Sequence, residues 1–523
     1  MATTPIQIYQ KHQLIIYINR LSIFDVIFCK SVVKLNKKLP AMRKLLLFLG
    51  FTICYNAQAQ QKYSLQQCIT TALDNNLQLK QGQLQVQVSQ NVLNQSNYQK
   101  YPNLNFSGSQ GIQSGRNIDP FTNQFVEQSV NFSQFGINTG VVLFSGFQQK
   151  NTIKQNQQNV LASQKDLDGI RNTLSVNVAN AYLTVLNNEE QLDNTRRQVS
   201  ATLLQLDRTT KLVKAGSLAQ TTLFDIQAQL ANEELAVVNA QNTVELSKLA
   251  LKQLMNLPAN EAVDIVRIQL PDPSLNPYDA TIEQVYNAAL KYLPDMEAAK
   301  LRIESAKTGV EIVKGTKMPT ISLSGGLSSS YSSAAPTERF VGDGGALRTI
   351  DVPSQTRYVQ FGGSQIPIIE KVGVPSGSLQ RFGYLNQLDF NRNANLGIGL
   401  RMPIFNGYAA KYRIASAQIQ QKNLEYQSQI IQNQIRQNVE QAYYTMLNAA
   451  KRFQATSNQV QSLDLAFKAA ESRFNAGAIN SLDYNIAKTN LDRARGNLIQ
   501  AKYDYVFRTK ILDFYQNKPL SVE

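Results

Sequence analysis

The chain has 523 residues, of which 43% are hydrophobic and only 17% are charged, so we expect a large folded protein with a neutral, hydrogen-bonding surface. Residues 1–59 carry +7 of the net charge of +15, and the remaining charge of about +8 is spread over the other 464 residues without a Lys/Arg block, which argues against a nucleic-acid-binding protein. His12 is the single histidine of the sequence, and Cys68 is the single cysteine after residue 59. The chain from residue 60 onward therefore cannot form a His-based triad or a His/Cys metal site. Because its carboxylates are not paired in a pocket-like pattern either, we expect neither an enzyme nor a cofactor.

The first recognisable element is a secretory signal peptide at residues 42–59. It has a basic start at Arg43 and Lys44, an apolar stretch over 45–53 and a small-residue cleavage pattern, AQA, at 57–59. This pattern predicts export from the cytoplasm.

Met42 is therefore the expected true start, and residues 1–41 are interpreted as an extension from a misassigned start codon. One alternative makes residues 14–33 a membrane anchor, although two charges interrupt that run. Another makes Cys54 a lipoprotein anchor, although the bulky Ile53 precedes it.

From residue 60 onward the chain contains one unit twice. The sequence NVANAY at 177–182 returns as NVEQAY at 438–443, 261 positions later, while SLQQ at 64–67 returns as TIEQ at 281–284, 217 positions later. The second copy therefore carries 44 additional residues. We predict a first repeat over 60–257, a linker over 258–280, a second repeat over 281–519 and a tail over 520–523.

Each copy contains a long stretch with an apolar residue at every seventh position, the pattern of helices that wind around one another. A helix from 148 to 213 would extend about 100 Å, too long for an ordinary buried helix of a globular domain. Gly216 and Gly477 interrupt the two stretches, because glycine tolerates the left-handed backbone that ends helices. Each copy is thus predicted to be an antiparallel helical hairpin. The stripes are Val178, Val185, Leu192, Val199, Leu206 and Val213, and Val439, Met446, Phe453, Val460, Phe467 and Phe474.

At the other end of each hairpin, residues 102–144 and 319–405 alternate between apolar and small or polar residues. This period of two predicts one β-hairpin per copy, with about ten residues per strand, the length of a membrane-spanning barrel strand. Four strands cannot close a barrel, and open edges in lipid are costly, so several chains must share one barrel. The alternative is a small soluble sheet that caps a coiled coil.

The additional residues of the second copy are expected within 328–390, which is rich in Gly, Ser and Pro. At the outer end of a barrel this insert would lie outside the cell. It is compatible with a segment that folds over the channel mouth and with a mobile loop that has no function.

These features together resemble the TolC family of outer membrane efflux proteins. The resemblance covers about residues 63–519 and depends on the duplicated unit, the N-[VA]-x-x-A-Y motif, the Ala-Gly tips and the Phe-x-Gly turn from strand into helix. It implies a homotrimer with a shared twelve-stranded barrel in outer membrane lipid and a periplasmic α-barrel of coiled-coil hairpins. It also implies docking onto a periplasmic adaptor (a membrane fusion protein) and an inner-membrane pump of RND or ABC type.

Within this resemblance, Asp483 matches an aspartate of the ring that narrows the periplasmic entrance of the channel. The companion position holds Ile486, so the double ring is incomplete, and Asp225 of the first copy, beside Thr222, is a candidate to supply part of that charge. Three carboxylates around a narrow pore would bind cations and impede anions. The alternative is a solvated charge at a helix N-terminus.

The Ala-Gly tips resemble the surfaces that receive adaptor hairpins. The residue just past the second glycine is basic in the family, where it latches the closed tip; Ile479 and Asn480 stand there in this chain, which argues against a latch of that chemistry. The candidate adaptor contacts are Ala215, Gly216, Ser217, Leu218, Ala476, Gly477, Ala478 and Ile479.

The predicted function is therefore a passive, trimeric exit duct in the outer membrane of a Gram-negative bacterium, serving efflux or type I secretion. The alternatives are a periplasmic coiled-coil adaptor and a structural adhesin stalk. Export of drugs, metal ions, peptides or proteins is compatible with this duct, as are proton- and ATP-driven pumps.

Overall fold

The computed structural model describes residues 62–118, 123–127, 129–258, 260–268 and 278–519. The predicted N-terminal extension, the signal peptide, residues 269–277 of the predicted linker and the tail over 520–523 lie outside the described residues. Among the residues that are described, no helix is both long and apolar enough to cross a membrane.

The first repeat contains a short helix pair, a β-hairpin and a long helical hairpin, in that order. Its elements are β1 (Lys62–Tyr63), α1 (Leu65–Asn75), α2 (Leu77–Tyr98), β2 (Asn103–Gln113), β3 (Arg116–Ile118), β4 (Phe125–Glu127), β5 (Val130–Ser145), α3 (Gln148–Lys214) and α4 (Gln220–Leu254).

The second repeat has the same order, with further strands and a helix between its two main strands. After the connecting strand β6 (Asp264–Ile265), its elements are α5 (Ile282–Tyr292), α6 (Pro294–Gly315), β7 (Thr320–Ser332), β8 (Glu338–Gly342), β9 (Arg348–Phe361), β10 (Ser364–Val374), β11 (Gly377–Arg381), α7 (Tyr384–Phe390), β12 (Asn393–Arg401), α8 (Ala409–Asn475) and α9 (Ser481–Tyr515).

The helix boundaries of the two copies coincide at the spacings seen in the sequence. Helices α1 and α2 match α5 and α6 at a spacing of 217, and α3 and α4 match α8 and α9 at 261. The repeated SLQQ and TIEQ motifs are capping boxes, in which Ser64 or Thr281 caps the first turn and the Gln three residues later bonds back. The duplicated long hairpins and the four-stranded sheet confirm the predicted fold class.

The helical segment that precedes each β-hairpin is divided into two helices, α1 and α2 in the first copy and α5 and α6 in the second. Asn76 ends α1 and caps α2, because its side-chain oxygen accepts a hydrogen bond of 3.0 Å from the Leu79 amide. In the second copy Pro294 occupies the first position of α6 and breaks the helix at the same place.

The hydrophobic core lies at mid-height of the long helices, in two clusters. In the first, α1 packs on the middle of α3 and the end of α4, with Cys68, Val178, Val185 and Leu251 fully buried. The second repeats this arrangement around α5, α8 and α9 and includes Val439. The stripe of every seventh residue is therefore buried where the short helix pairs cover it.

The main sheet has four antiparallel strands in the order β12-β7-β5-β2, so that β5 and β7 join the two copies. The four strands have 9, 13, 16 and 11 residues, whereas about ten had been expected for each. A β-bulge between Val142 and Phe144 interrupts the β5–β7 register. Strands β2 and β12 form the two open edges.

The insert of the second copy has regular secondary structure. Strands β8 and β11 pair with each other, the longer hairpin β9–β10 extends from that pair, and α7 returns the chain to β12. Sequence reasoning predicted no strands here because the insert's Gly, Ser and Pro residues obscure the alternation.

Candidate functional site

The two hairpin tips are built by the same backbone motif. Gly216 and Gly477 have φ angles of +75° and +73°, in the left-handed region. At the first tip the Ser217 amide donates to the Leu212 carbonyl at 2.9 Å, and at the second the Ala478 amide donates to the Arg473 carbonyl at 2.8 Å. These six-to-one bonds define Schellman motifs, in which glycine avoids the clash of a Cβ atom.

The tip residues form small, open surfaces. No atom lies within 4 Å of a Cβ built at Gly216 or Gly477, and both alanines that precede these glycines are exposed. Leu218 and Ile479 are half-buried at the start of the returning legs. Their role as adaptor contacts remains a prediction.

Asp483 lies exposed in the first turn of α9. Its amide donates to the side chain of Asn480, the N-cap residue, at 2.9 Å. This cap orients the first turn, and the carboxylate of Asp483 makes no salt bridge among the ion pairs of the described residues. The geometry therefore leaves the charge available, as a pore ring would require.

Asp225 and Thr222 lie in the first turns of α4, at the matching tip of the first copy. The Ser481 hydroxyl donates to the Asp225 carboxylate at 2.9 Å, which joins the start of α9 to α4. The Thr222 amide donates to the Ala219 carbonyl, in the cap of α4. The two tips of one chain are thus in contact. Asp225 accepts this hydrogen bond from Ser481, which lies two residues before Asp483 in the sequence.

A buried charge cluster between the two hairpins was missed by sequence reasoning. The Lys488 ammonium lies 2.6 Å from a Glu233 carboxylate oxygen and 3.1 Å from Asp492, and the Thr202 hydroxyl donates to Glu233 at 2.6 Å. Lys488 and Glu233 are both nine-tenths or more buried. The only sequence signal was the spacing of four between Lys488 and Asp492; nothing local indicated that Glu233, from the other hairpin, would join them.

Burial shifts the pKa of two groups near this cluster. Desolvation raises the pKa of the Asp492 carboxyl above its ordinary value, against the opposing effect of the Lys488 charge. Desolvation also raises the pKa of the Tyr484 hydroxyl to about 12. The cluster therefore lies in a poorly solvated joint between α3, α4 and α9, a few turns above the tips.

The two faces of the main sheet differ in chemistry. Residues directly opposite each other on paired strands share a face, and the register places the apolar residues together on one face. That face carries Leu104, Phe106, Ile112, Phe135, Ile137, Val141, Ile321, Leu323, Leu327, Leu396, Ile398 and Leu400.

The opposite face of the sheet is polar and tightly spaced. Gly326 lies between Asn138 and Asn395, and a Cβ atom at that glycine would approach the Asn395 side-chain oxygen to 2.6 Å. An apolar face and a polar face, the latter with Arg401 as a charge at one end, are the two surfaces of a lipid-embedded, water-lined barrel wall. The polar face carries Asn105, Ser107, Ser109, Gln134, Asn138, Ser324, Ser328, Ser330, Asn393 and Asn395.

The duplicated hairpins, the shared tips and the two-faced sheet define the class of outer membrane efflux proteins. The sequence model of the outer membrane efflux protein family matches residues 68–257 and 377–512, more than half of the chain, and the chain belongs to that family. This confirms the resemblance drawn from the duplicated motifs, places the protein in the outer membrane and shows that it is not an enzyme. Family membership also removes support from the adaptor and adhesin alternatives.

Among individual relatives, the chain is 24% identical to outer membrane protein TolC of Escherichia coli strain K12 over 343 residues, which are 64% of this chain and 59% of TolC. It is 22% identical to outer membrane efflux protein BepC of Brucella suis biovar 1 over 381 residues, 71% of this chain and 69% of BepC. The chain thus spans about 59% of the length of the TolC relative.

Similarity to solved structures concerns the fold. The crystal structure of outer membrane protein VceC from Vibrio cholerae superposes with a TM-score of 0.66 at 15% identity, covering 87% of this chain and 97% of VceC. The arrangement of helices and strands is therefore that of a known outer membrane protein along nearly its whole length.

Proposed function

We propose that three copies of this chain form a passive exit duct across the outer membrane, which receives substrates from an inner-membrane pump through a periplasmic adaptor. The observation that carries the proposal is the contact between the two copies of the repeat inside one chain. The equivalent surfaces at the two edges of the sheet have no partner within the described residues of the chain. The contact between the two copies of the repeat inside the chain, β5 with β7 and α3 with α6, is called the internal seam.

The internal seam predicts a matching external seam between chains. By repeat equivalence, β5 and α3 correspond to β12 and α8, while β7 and α6 correspond to β2 and α2. The contact equivalent to the internal seam therefore joins β12 and α8 of one chain to β2 and α2 of the next chain. Each copy then contributes four strands to a closed barrel without edges, as lipid requires.

Residues at the external seam are exposed as this pairing requires. Gly146 of the internal seam is so close to α6 that a Cβ atom would lie 2.5 Å from the Gly315 carbonyl oxygen, whereas its counterpart Gly407 faces open space. The counterpart of Gly315 is Tyr98, which is 69% exposed. Because a Cβ atom at Gly315 would also lie 2.5 Å from the Gly146 carbonyl oxygen, Tyr98 requires the external seam to be wider than the internal seam at this point.

The strand lengths support the same pairing. Strand β5 continues to Ser145 because β7 bonds to it, whereas β12 ends at Arg401 and leaves the apolar residues Met402 to Phe405 outside any strand. In the isolated chain Ile404 is 95% exposed. With β2 of a second copy beside it, β12 would gain the partner that completes this segment.

Because the two copies are equivalent, the β5–β7 register of the internal seam predicts the register of β12 against β2 of the next chain. Val141 lies opposite Leu323, so Met402 of one copy should lie opposite Phe106 of the next. We expect the variant Met402→Cys with Phe106→Cys to form covalent trimers on oxidation of outer membranes. The control pairs Met402→Cys with Asn105→Cys, whose side chain lies on the other face of β2, and should stay monomeric on denaturing gels.

Function is tested with purified protein in planar bilayers, where conductance should appear only for trimeric preparations. Conductance by monomers, or equal cross-linking of both cysteine pairs, would contradict the proposed assembly. Adaptor docking is tested separately, by binding of a purified adaptor hairpin to the wild-type tips and to a variant with Ala476→Trp, which should abolish it.

A further inference from the structure

The places where the main sheet gives way to the long helices carry a motif that occurs once in each copy. It combines two aromatic residues and a lysine at spacings of three, and the second set lies 261 positions after the first, the spacing of the repeat. We call each set a junction motif. The sets are Phe144, Phe147 and Lys150, and Phe405, Tyr408 and Lys411.

The two aromatic rings of each junction motif pack edge to face. The ring centroids of Phe144 and Phe147 lie 5.4 Å apart at an interplanar angle of 86°, and those of Phe405 and Tyr408 lie 5.7 Å apart at 85°. Phe147 and Tyr408 hold these positions with φ angles of +64° and +61°, which bulky residues rarely adopt. Both copies therefore combine an unfavourable backbone conformation with the same ring contact.

Each junction motif continues the apolar face of the main sheet toward the helices. Phe144 lies directly opposite Ile321, a residue of that face. Its counterpart Phe405 is 75% exposed, with the Tyr408 ring beside it. The Lys411 ammonium follows, 5.8 Å from the centroid of the Tyr408 ring. The order from the sheet toward the helices is therefore apolar strand, aromatic pair and ammonium group.

The connecting segments between strands and helices are basic at this end of the sheet. They contain seven basic residues and no acidic one, and the nearest acidic residue on the adjoining helices, Glu311, pairs with Lys314 at 2.7 Å. At the opposite end of the sheet both signs occur, and Arg116 pairs with Glu127 at 3.6 Å. The four basic segments are 97–103, 144–154, 314–320 and 405–415.

The lysines of the two junction motifs are available to a partner. Lys150 and Lys411 are exposed, and neither forms a salt bridge with another residue that the structure describes. Arg401 lies nearby at the end of β12, but it belongs to the polar face of the sheet. Uncompensated positive charge therefore lies next to the apolar face, at the end of the sheet that joins the helices.

We propose that the junction motifs bind the phosphate groups of anionic phospholipids in the periplasmic leaflet of the outer membrane. The inference rests on the proposed barrel, which places the apolar face of each sheet against lipid acyl chains. The aromatic pair then lies at the membrane–water interface, where such rings are favoured, and the ammonium group lies in the headgroup layer. Lysines near a membrane surface are attracted to anionic lipids, whereas zwitterionic headgroups carry no net charge.

A single tryptophan can test this contact, because the sequence contains none. The full chain with Phe405→Trp is reconstituted in phosphatidylcholine vesicles, and lipids with brominated acyl chains quench the tryptophan on contact. Quenching by brominated phosphatidylglycerol and by brominated phosphatidylcholine gives the ratio of their binding constants at this site. We expect phosphatidylglycerol to bind about five-fold more tightly, and Lys150→Gln with Lys411→Gln to reduce the ratio to about one.

Two controls accompany this measurement. Lys80→Gln with Lys300→Gln removes the same charge from exposed positions on α2 and α6, away from the sheet, and should leave the ratio at Phe405→Trp unchanged. Leu396→Trp replaces a side chain that is 80% exposed on the apolar face of β12. We expect the two brominated lipids to quench it equally, because it contacts acyl chains rather than headgroups.

The two tryptophan positions separate the possible failures. No quenching or a ratio near one at Phe405→Trp, or a ratio that the substitution of Lys150 and Lys411 leaves unchanged, overturns the inference. If Leu396→Trp is quenched in that case, the headgroup contact alone is wrong. If neither tryptophan is quenched, the apolar face does not meet lipid, and the proposed barrel is wrong as well.

Discussion

At the scale of single residues, Asp483 is the charge on which ion selectivity at the entrance should depend. Its backbone is held by the Asn480 cap and its carboxylate is exposed. In a ring of three copies the carboxylates would converge and bind multivalent cations. We therefore expect Asp483→Asn to raise the concentration of a trivalent cation that half-blocks the channel by about ten-fold.

Single-channel recording in planar bilayers measures this block. The control is Asp207→Asn, an exposed aspartate on α3 that pairs with Lys211 on its own helix at 2.6 Å. Block that is unchanged by Asp483→Asn, or weakened equally by Asp207→Asn, would place Asp483 outside the constriction.

The buried pair of Glu233 and Lys488 should dominate the stability of the joint above the tips. Removing one charge leaves the other desolvated without a partner, so Lys488→Met should lower the free energy of unfolding by about 3–5 kcal/mol. The double variant Glu233→Leu with Lys488→Met should lose less than the sum of the single losses, because the buried Glu233 carboxylate is removed together with its partner and only Asp492 loses an ion pair.

Denaturant titration followed by helical circular dichroism measures these free energies. The exposed pair of Asp207 and Lys211 is the matched control, since breaking a solvent-screened pair costs below about 1 kcal/mol. Additive losses in the double variant would show that the two side chains do not act as a pair.

At the scale of elements, each helical hairpin depends on one glycine. Gly477 has open space around its absent Cβ, so an alanine there meets only the strain of a left-handed backbone, about 1 kcal/mol. We expect Gly477→Ala to speed hydrogen exchange of the Ala478 amide, which closes the motif, by roughly five-fold.

Gly477→Asn is the matched control, because asparagine tolerates the left-handed region better than alanine does. The chain uses asparagine in this way at the far ends of the hairpins, where Asn256 and Asn517 have φ angles of +51° and +59°. Equal exchange rates in the alanine and asparagine variants would mean that backbone strain does not govern the tip.

The sequence predicts a structural feature best when the residues that cause it are neighbours in the chain and have a distinct conformational preference. The tips were predictable because glycine in a long helical pattern has a local conformational reason. The break at Asn76 was not, because an asparagine that caps a helix looks the same in sequence as one inside a helix. The pairing of Glu233 with Lys488 was also beyond the sequence, because it joins side chains 255 positions apart on different hairpins.

The insert shows a third limit. Its strands β8 to β11 pair only with each other, and their mixed composition gives no clean alternation over 338–381. The strands of the main sheet were predictable because lipid and water on opposite sides impose a strict period of two.

At the scale of the whole molecule, the two seams differ in chemistry. On the internal seam the Thr308 hydroxyl donates to Gln158 at 2.9 Å, and Ser305 donates to Asn159 at 2.6 Å. The counterpart of Gln158 on the external seam is Ile419, which is 71% exposed in the isolated chain. At this position the contact within the chain is polar, whereas the external seam presents an apolar side chain.

A charge on that apolar surface should weaken assembly without disturbing the fold of one chain. We expect Ile419→Glu to reduce the fraction of trimer in detergent extracts at least ten-fold, because a carboxylate buried between chains would lack a partner. Gln418→Glu is the control, since its counterpart Gln157 is exposed in the internal seam. Size-exclusion chromatography with light scattering measures the trimer; undiminished trimer in Ile419→Glu would exclude α8 from the interface.

The correspondence of Asp483 with Thr222 has a consequence for the symmetry of the passage. In the proposed trimer six near-equivalent units would surround the entrance, and three carboxylates would alternate there with three hydroxyls. The charge pattern at that level would then have threefold rather than sixfold symmetry, with gaps between charges that a permeating molecule can occupy. Thr222→Asp would make the six positions equivalent and double the fixed charge at a single level of the pathway.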